Sequence, residues 1–169
     1  GVENVSTKRK GDMYVIINTH HETSWLKPQE DGFERMSNKF AAVWKQIAYY
    51  FQGYGDHLIF EGLNEPRIKG GQDEWNGGTA EGRKVLNQYL QIFVDTVRAT
   101  GGNNESRLLL VTTFAAQPSV NGLKDLVIPQ DEHIAVSIHA YTPYLFTFSA
   151  DAANYNNWDG SKNGDIDYL

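Results

Sequence analysis

Apolar residues along this chain follow two rhythms that alternate. Unbroken runs occur at Met13-Tyr14-Val15-Ile16-Ile17-Asn18, at Leu58-Ile59-Phe60-Glu61-Gly62-Leu63, at Arg107-Leu108-Leu109-Leu110-Val111-Thr112-Thr113 and at Ile134-Ala135-Val136-Ser137-Ile138-His139. Short runs of this kind, bounded by Gly, Pro and polar residues, read as strands buried on both faces. Between them lie two helical stripes. Met36, Phe40, Val43, Trp44, Ile47 and Phe51 recur at three- and four-residue intervals within 33–51, and Gly53 and Gly55 are read as the stop. Leu86, Tyr89, Leu90, Phe93, Val94 and Val97 repeat the pattern from Thr79 up to Gly101-Gly102. Trp44 falls on the apolar stripe and is expected in the core. A short helix is expected around Val120 to Leu126. The segment Arg67 to Gly78 is a Gly-rich loop holding Trp75, and Ala140 to Leu169 an aromatic, Asn-rich loop. Residues 1–11 carry little hydrophobic pattern and are read as a poorly structured N-terminus, with one domain over 12–169.

The resulting order is β-α-β-α-β-α-β with short links. Such an order implies right-handed crossovers and a parallel sheet, so the expected fold class is α/β.

Composition narrows the partners. With 169 residues, 40% of them hydrophobic, the chain can build one core. A net charge of −6, with 15 scattered basic residues, disfavours nucleic acid and anionic membranes and suits a neutral polymer. The absence of cysteine excludes disulfides and Cys–zinc sites. No stretch approaches the roughly 20 apolar residues of a membrane span. Gly1 to Asp12 lacks the apolar middle of a signal peptide.

Candidate chemistry gathers where the strands end. Pro66 has no N–H and biases Glu65 out of the helical region, so the second strand stops there. Asn64 and Glu65 then sit at its carboxyl end, the rim where parallel α/β folds place their chemistry. A partly buried acid at such a rim can serve as a proton donor. The plainer reading is a solvated turn residue beside a strand-end cap. Thr19-His20-His21-Glu22 follows the first strand. On a strand, neighbouring histidines face opposite ways and do not chelate one ion easily, and the zinc-protease spacing is absent, so no metal is expected. His139 and Tyr141 follow the fourth strand and share a side by alternation. Trp25, Trp75, Tyr144, Phe146 and Trp158 fall in carboxyl-side loops, where aromatic rings either stack on sugars or pack the loops themselves.

Three of these stretches, in this order, resemble glycoside hydrolase family 5, the cellulase family of (β/α)₈ barrels. Asn18-Thr19-His20-His21-Glu22 is similar to the end of its third barrel strand. Leu63-Asn64-Glu65-Pro66 resembles the fourth, and His139-Ala140-Tyr141 the sixth. The resemblance covers strands three to six, about half of a TIM barrel. It implies retaining hydrolysis of β-1,4 bonds in a cellulose-like glucan outside the cell, without a cofactor. Glu65 would be the acid/base and Asn64 would hold the sugar 2-hydroxyl. His21, with His20 as second choice, would contact substrate, as would Trp25, Trp75 and Tyr144. His139 and Tyr141 would lie against nucleophile and sugar ring.

Retention requires a second carboxyl group roughly 5 Å from the first. The family's nucleophile belongs to strand seven, outside the resembling segment. Glu61 shares the parity of Glu65 but lies about 13 Å along the strand, and reads as a buried acid needing a hydrogen-bonded mate. Glu22, one strand spacing of about 4.8 Å away, is the candidate second carboxylate. Asp151, Asp159, Asp165 and Asp167 lie in the final loop and are left unplaced. A four-stranded half-barrel also leaves two edges and an inner face open. The expectation is a piece of a longer protein, a homodimer that closes eight strands, or a final loop folded over the edge. The alternatives to an enzyme are a non-catalytic carbohydrate-binding or assembly module derived from one, and an inactive α/β fragment.

Overall fold

Four short strands and the helices between them carry the chain in sequence order. The computed structural model describes residues 13–141 and 147–148. The chain divides into two units, 1–138 and 139–169, and everything in this subsection concerns the first. Its elements are β1 (Val15–Asn18), α1 (Phe33–Tyr50), β2 (Leu58–Glu61), α2 (Ala80–Arg98), β3 (Leu109–Thr112), α3 (Val120–Lys124) and β4 (Ile134–Ser137). Short 3-10 turns occupy Gly102–Glu105 and Phe114–Ala116. The sheet runs β1-β2-β3-β4 and every pair is parallel, as the alternating pattern predicts. Val15 is opposite Leu58, Phe60 opposite Leu109, and Leu109 opposite Ile134.

One face of the sheet packs under the helices. Leu58, Phe60, Leu109 and Val111 meet Phe40 and Trp44 of α1 and Val85, Leu86, Tyr89, Leu90, Phe93 and Val97 of α2. Trp44 is fully buried, with its ring centroid 4.6 Å from that of Phe93 and 5.5 Å from that of Phe60. The other face does not match expectation. Ile16 is 52% exposed, Ala135 is exposed, and Ile59 and Leu110 are half-buried. The runs therefore read correctly as strands but wrongly as buried on both sides. Their continuous apolar character marks an inner barrel-type face as well as the helix-covered one.

The ends of the elements follow local chemistry. The Thr79 hydroxyl caps α2 by accepting from Gly82 N at 3.0 Å, and Ser119 caps α3 by accepting from Gly122 N at 3.1 Å. After α2 the chain turns through Gly101 and Gly102 at φ 70° and 61°. The first helix stops otherwise than expected. Gly53 and Gly55 keep ordinary φ, and Phe51 N closes the last turn on Ile47 O at 3.0 Å. No helix among the described residues is long and apolar enough to cross a membrane.

Arg107 is not the first residue of β3, contrary to the sequence reading; it is a buried tie beneath the sheet. Its Nε donates to Asn104 Oδ1 at 2.6 Å. Nη1 reaches Gly55 O at 3.0 Å and Leu58 O at 2.5 Å, and Nη2 reaches Phe51 O at 3.1 Å and Tyr54 O at 2.7 Å. Burial pulls its pKa below the ordinary guanidinium value, and the charge of Arg98 adds to this. Five acceptors compensate the desolvated cation and fix the α1–β2 link.

A second tie joins the end of α2 to the start of β4. Arg98 clamps Asp131 through Nε–Oδ2 at 2.7 Å and Nη2–Oδ1 at 2.8 Å. The Arg98 hydrogen bond, helped by the His133 amide and opposed by burial, lowers the Asp131 pKa from 3.8 to about 2. A depressed carboxyl pKa adds stability that is complete above the unfolded value and vanishes as pH falls through the folded one. Asp131→Asn should therefore lower unfolding free energy by on the order of 1–2 kcal/mol near pH 7, allowing for solvent screening. The gap between variant and parent should close between about pH 4 and pH 2. Urea unfolding at both ends of that range measures it, and an equal loss at both would assign the effect to packing.

Candidate active site

The rim at the carboxyl end of β2 is built on one peptide. Gly62 N donates to Leu110 O at 3.0 Å, which extends the pairing one step past β2. Its carbonyl accepts from Trp44 Nε1 at 3.1 Å and from Thr19 Oγ1 at 2.6 Å. A Cβ at this position would lie 2.7 Å from Phe93 Cδ1, so only glycine lets α2 close on the sheet. Two residues on, Asn64 N donates to Thr19 O at 3.1 Å and joins the β1 and β2 rims. The Asn64 side chain is held in a residue only 8% exposed. Below it Glu61, 5% exposed, accepts from Asn18 Nδ2 at 2.8 Å. This is the buried acid with a hydrogen-bonded mate that the sequence calls for.

Glu65 follows, half-buried. Arg67 Nη1 lies 3.4 Å from its Oε2 and donates to its backbone carbonyl at 3.0 Å. Arg67 Nε donates to Glu74 Oε1 at 2.9 Å, and the other Glu74 oxygen accepts from Gly70 N at 2.7 Å. The Gly70 amide and then Arg67 hold the Glu74 carboxyl below its ordinary pKa. The guanidinium lies 4.4 Å from the ring centroid of Trp75, which is 53% exposed. Pro66 O accepts from Ala115 N at 2.8 Å. Ala115 and its neighbour Ala116 are buried at φ 54° and 53°. Left-handed backbone at a residue with a Cβ costs about 1–3 kcal/mol, and the surrounding packing sustains it here. Gln117 completes the frame, donating to Trp75 O at 3.0 Å and accepting from Gly77 N at 3.2 Å.

A small cleft opens beside this rim, lined by Thr19, His21, Glu22, Asn64, Glu65 and Arg67 among others. His21 and Glu22 thus meet Asn64 and Glu65 on one surface. Glu22 is exposed, and its Oε2 accepts from Trp25 Nε1. Lys39 Nζ sits 3.9 Å over the Trp25 ring. His20 and His21 do not splay to opposite sides as expected. Both lie beyond the end of β1, His21 adopts φ 53°, and the two rings are 4.1 Å apart. A left-handed residue breaks the alternation that a strand would impose.

His139 and Tyr141 belong to the second unit, where their rings stand nearly perpendicular, 6.4 Å apart. The fourth strand ends at Ser137, two residues before His139. Tyr144, Phe146, Trp158 and the four aspartates of the final loop lie outside the described residues, as does the expected N-terminal tail 1–11. Sequence reasoning overlooked Arg67, Glu74 and Gln117. Charged residues in a Gly-rich loop were the available signal.

A parallel sheet of β/α units with an Asn-Glu pair at its carboxyl rim defines a barrel-type glycoside hydrolase scaffold. Residues 3–166 match the model of the cellulase family, glycosyl hydrolase family 5, and the chain belongs to that family. It is 56% identical over 154 residues to Endoglucanase A of Ruminococcus albus, covering 90% of this chain and 42% of that one. It is 46% identical, at a TM-score of 0.87, to a metagenomic xyloglucan-specific endo-β-1,4-glucanase in complex with cellotriose. That match covers 98% of this chain and 49% of that one. A broad-specificity endoglucanase from Ruminococcus champanellensis with bound cellotriose matches at 42% identity and a TM-score of 0.86, over 98% and 48% of the two chains. The chain spans about half the length of these relatives or less, and its fold is a truncated TIM-barrel-type α/β segment.

The contact at Gly62 gives a direct test. Gly62→Ala should lower stability by about 1–3 kcal/mol, because the added methyl meets a fully buried ring. Gly53→Ala, where nothing lies within 4 Å, is the control and should stay within about 0.5 kcal/mol. Urea unfolding of the two variants decides it, and equal stability would remove Gly62 from its role.

Proposed function

We propose that this chain carries the acid/base half of a retaining endo-β-1,4-glucanase site acting on a cellulose-like β-glucan. The observation that carries the reading is the half-buried Glu65 beside Asn64 on a cleft shared with His21. Glu65 protonates the glycosidic oxygen and later activates water, as one member of a carboxyl pair does in retaining hydrolysis. Asn64 holds the sugar 2-hydroxyl. His21, then His20, together with His139 and Tyr141, orient ring and nucleophile. Trp25, Trp75 and Tyr144 stack on sugar faces. Glu22 is the carboxylate proposed as second partner. Proton transfer and charge stabilisation lower the barrier, so the reaction calls for no cofactor.

The cellotriose held by two of the related structures supports a short β-1,4-glucan as ligand. A polymer of this kind is met outside the cell, which favours an extracellular setting. The exposed inner face of the sheet calls for a cover, supplied either by further barrel strands of a longer chain or by a second copy. Sedimentation equilibrium separates these, since a monomer at micromolar concentration removes the second copy.

Carboxymethyl cellulose hydrolysis by Glu65→Gln tests the central assignment. The expected loss is about a hundredfold or more, the typical contribution of a positioned acid. Turnover at the parent level overturns it. In the same assay, unchanged turnover in Glu22→Gln removes Glu22 from the mechanism. Cellotriose binding by the parent without product release favours the non-catalytic carbohydrate-binding module.

A further inference from the structure

The loop after β2 brings an acid, a cation and an exposed indole into one network, and the proposed chemistry gives its cation no role. The Arg67 guanidinium meets three partners through Nε, Nη1 and its face. One edge faces Glu74, with Nε to Oε1 at 2.9 Å. Nη1 faces Glu65, 3.0 Å from its carbonyl and 3.4 Å from its carboxyl oxygen. The plane lies on Trp75, 4.4 Å from the ring centroid. Glu74 is itself fixed by the Gly70 amide, and the backbone around Trp75 is gripped by the Gln117 side chain at Trp75 O and Gly77 N. The cation therefore cannot turn toward one partner without releasing another.

We propose that Arg67 is a positioning residue that sets the Glu65 carboxyl and the Trp75 ring relative to one another. The inference deepens the reading of Glu65 as proton donor and names what orients it. A planar fork with fixed donor angles can hold an acid on one edge and a ring on its face. An ammonium has neither the plane nor the second edge. A sugar stacked on the exposed side of Trp75 would then lie at a distance from Glu65 set by the guanidinium. Misplacement of a reacting group by about 1 Å is enough to lose a hundredfold in rate.

The test does not require hydrolysis, so it is separable from the test of the proton donor. In the full chain labelled with nitrogen-15, the Trp75 indole signal is assigned with Trp75→Phe and the Arg67 Nε signal with Arg67→Lys. Glu65→Gln should then shift both signals, the indole through the guanidinium that faces both groups. In an Arg67→Met background the same Glu65→Gln change should leave the indole signal in place. Should Arg67→Met fail to fold, Arg67→Lys serves as the background, because it keeps charge and stem and removes only the fork. An unmoved indole in the parent background, or an equal shift in both backgrounds, overturns the proposal. Where the chain cleaves an aryl cellobioside, Arg67→Met should lower kcat about tenfold or more with KM within about twofold, and Arg67→Lys should not restore kcat. A fall in KM-dependent binding alone, with kcat kept, also overturns it.

Discussion

The peptide of Gly62 is the constraint on which the described architecture turns. Its N–H extends the β2–β3 pairing, and its carbonyl takes one donor from α1 and one from the β1 rim. Both acceptor directions of that oxygen are used, so the group has no freedom to rotate. The missing side chain leaves the space into which Phe93 of α2 fits. One residue thus joins three strands and both long helices at the level where the sheet stops. Asn64 and Glu65 begin two residues later and inherit that fixed origin. A site placed on the ends of packed strands is held more rigidly than one on a free loop.

The two ends of the sheet solve different problems. Toward the amino ends, charge is consumed in holding elements together. Arg107 spends all its donors on the α1–β2 link and Asn104, and Arg98 clamps Asp131 across the α2–β4 connection. At the carboxyl ends, polar groups are held in place yet reach solvent. Glu65 is half-buried, His21 and Glu22 are exposed, and Trp75 shows half its surface. Structural ties and the candidate site are thereby separated along the strand direction, the division expected of a barrel-type fold.

Much of this was legible in the residues alone. Element order, parallel pairing, both long helices and the core role of Trp44 follow from apolar periodicity, because that periodicity is a direct record of burial. Glu61 was readable as a buried acid with a partner, since an unpaired one would be too costly. Arg107 was not readable as a tie. Its five acceptors come from residues 51–58 and 104, and no local pattern announces them. Ala115 and Ala116 take left-handed backbone without the glycine or asparagine that would signal it. The close rings of His20 and His21 escaped for a related reason, since alternation holds only within the strand, which ends at Asn18, two residues before His20. The helix stop at Gly53 and Gly55 failed because the backbone already leaves helical geometry at Phe51, whose N–H makes the last helical bond to Ile47 O.

The inner face shows why chemistry belongs at this end of the sheet. Residues facing inward alternate with those under the helices, so Ile16, Ile59, Leu110 and Ala135 precede Asn18, Glu61, Thr112 and Ser137 on the same face. Every strand therefore closes on a polar residue directed to that side, after an apolar one two positions earlier. The register staggers these ends: Glu61 is opposite Asn18 and Leu110, and Thr112 is opposite Ser137 two residues further along, with Asn18 Nδ2 donating to Glu61 at 2.8 Å and Thr112 Oγ1 to Ser137 O at 2.8 Å. On each strand the polar end follows an apolar position of the same face. An acid just beyond such polar ends is half-buried without standing alone in an apolar interior. These polar ends are four residues on four separate strands, none of them in the Asn-Glu motif. The motif marks the acid, and the polar strand ends beneath it belong to the sheet as a whole.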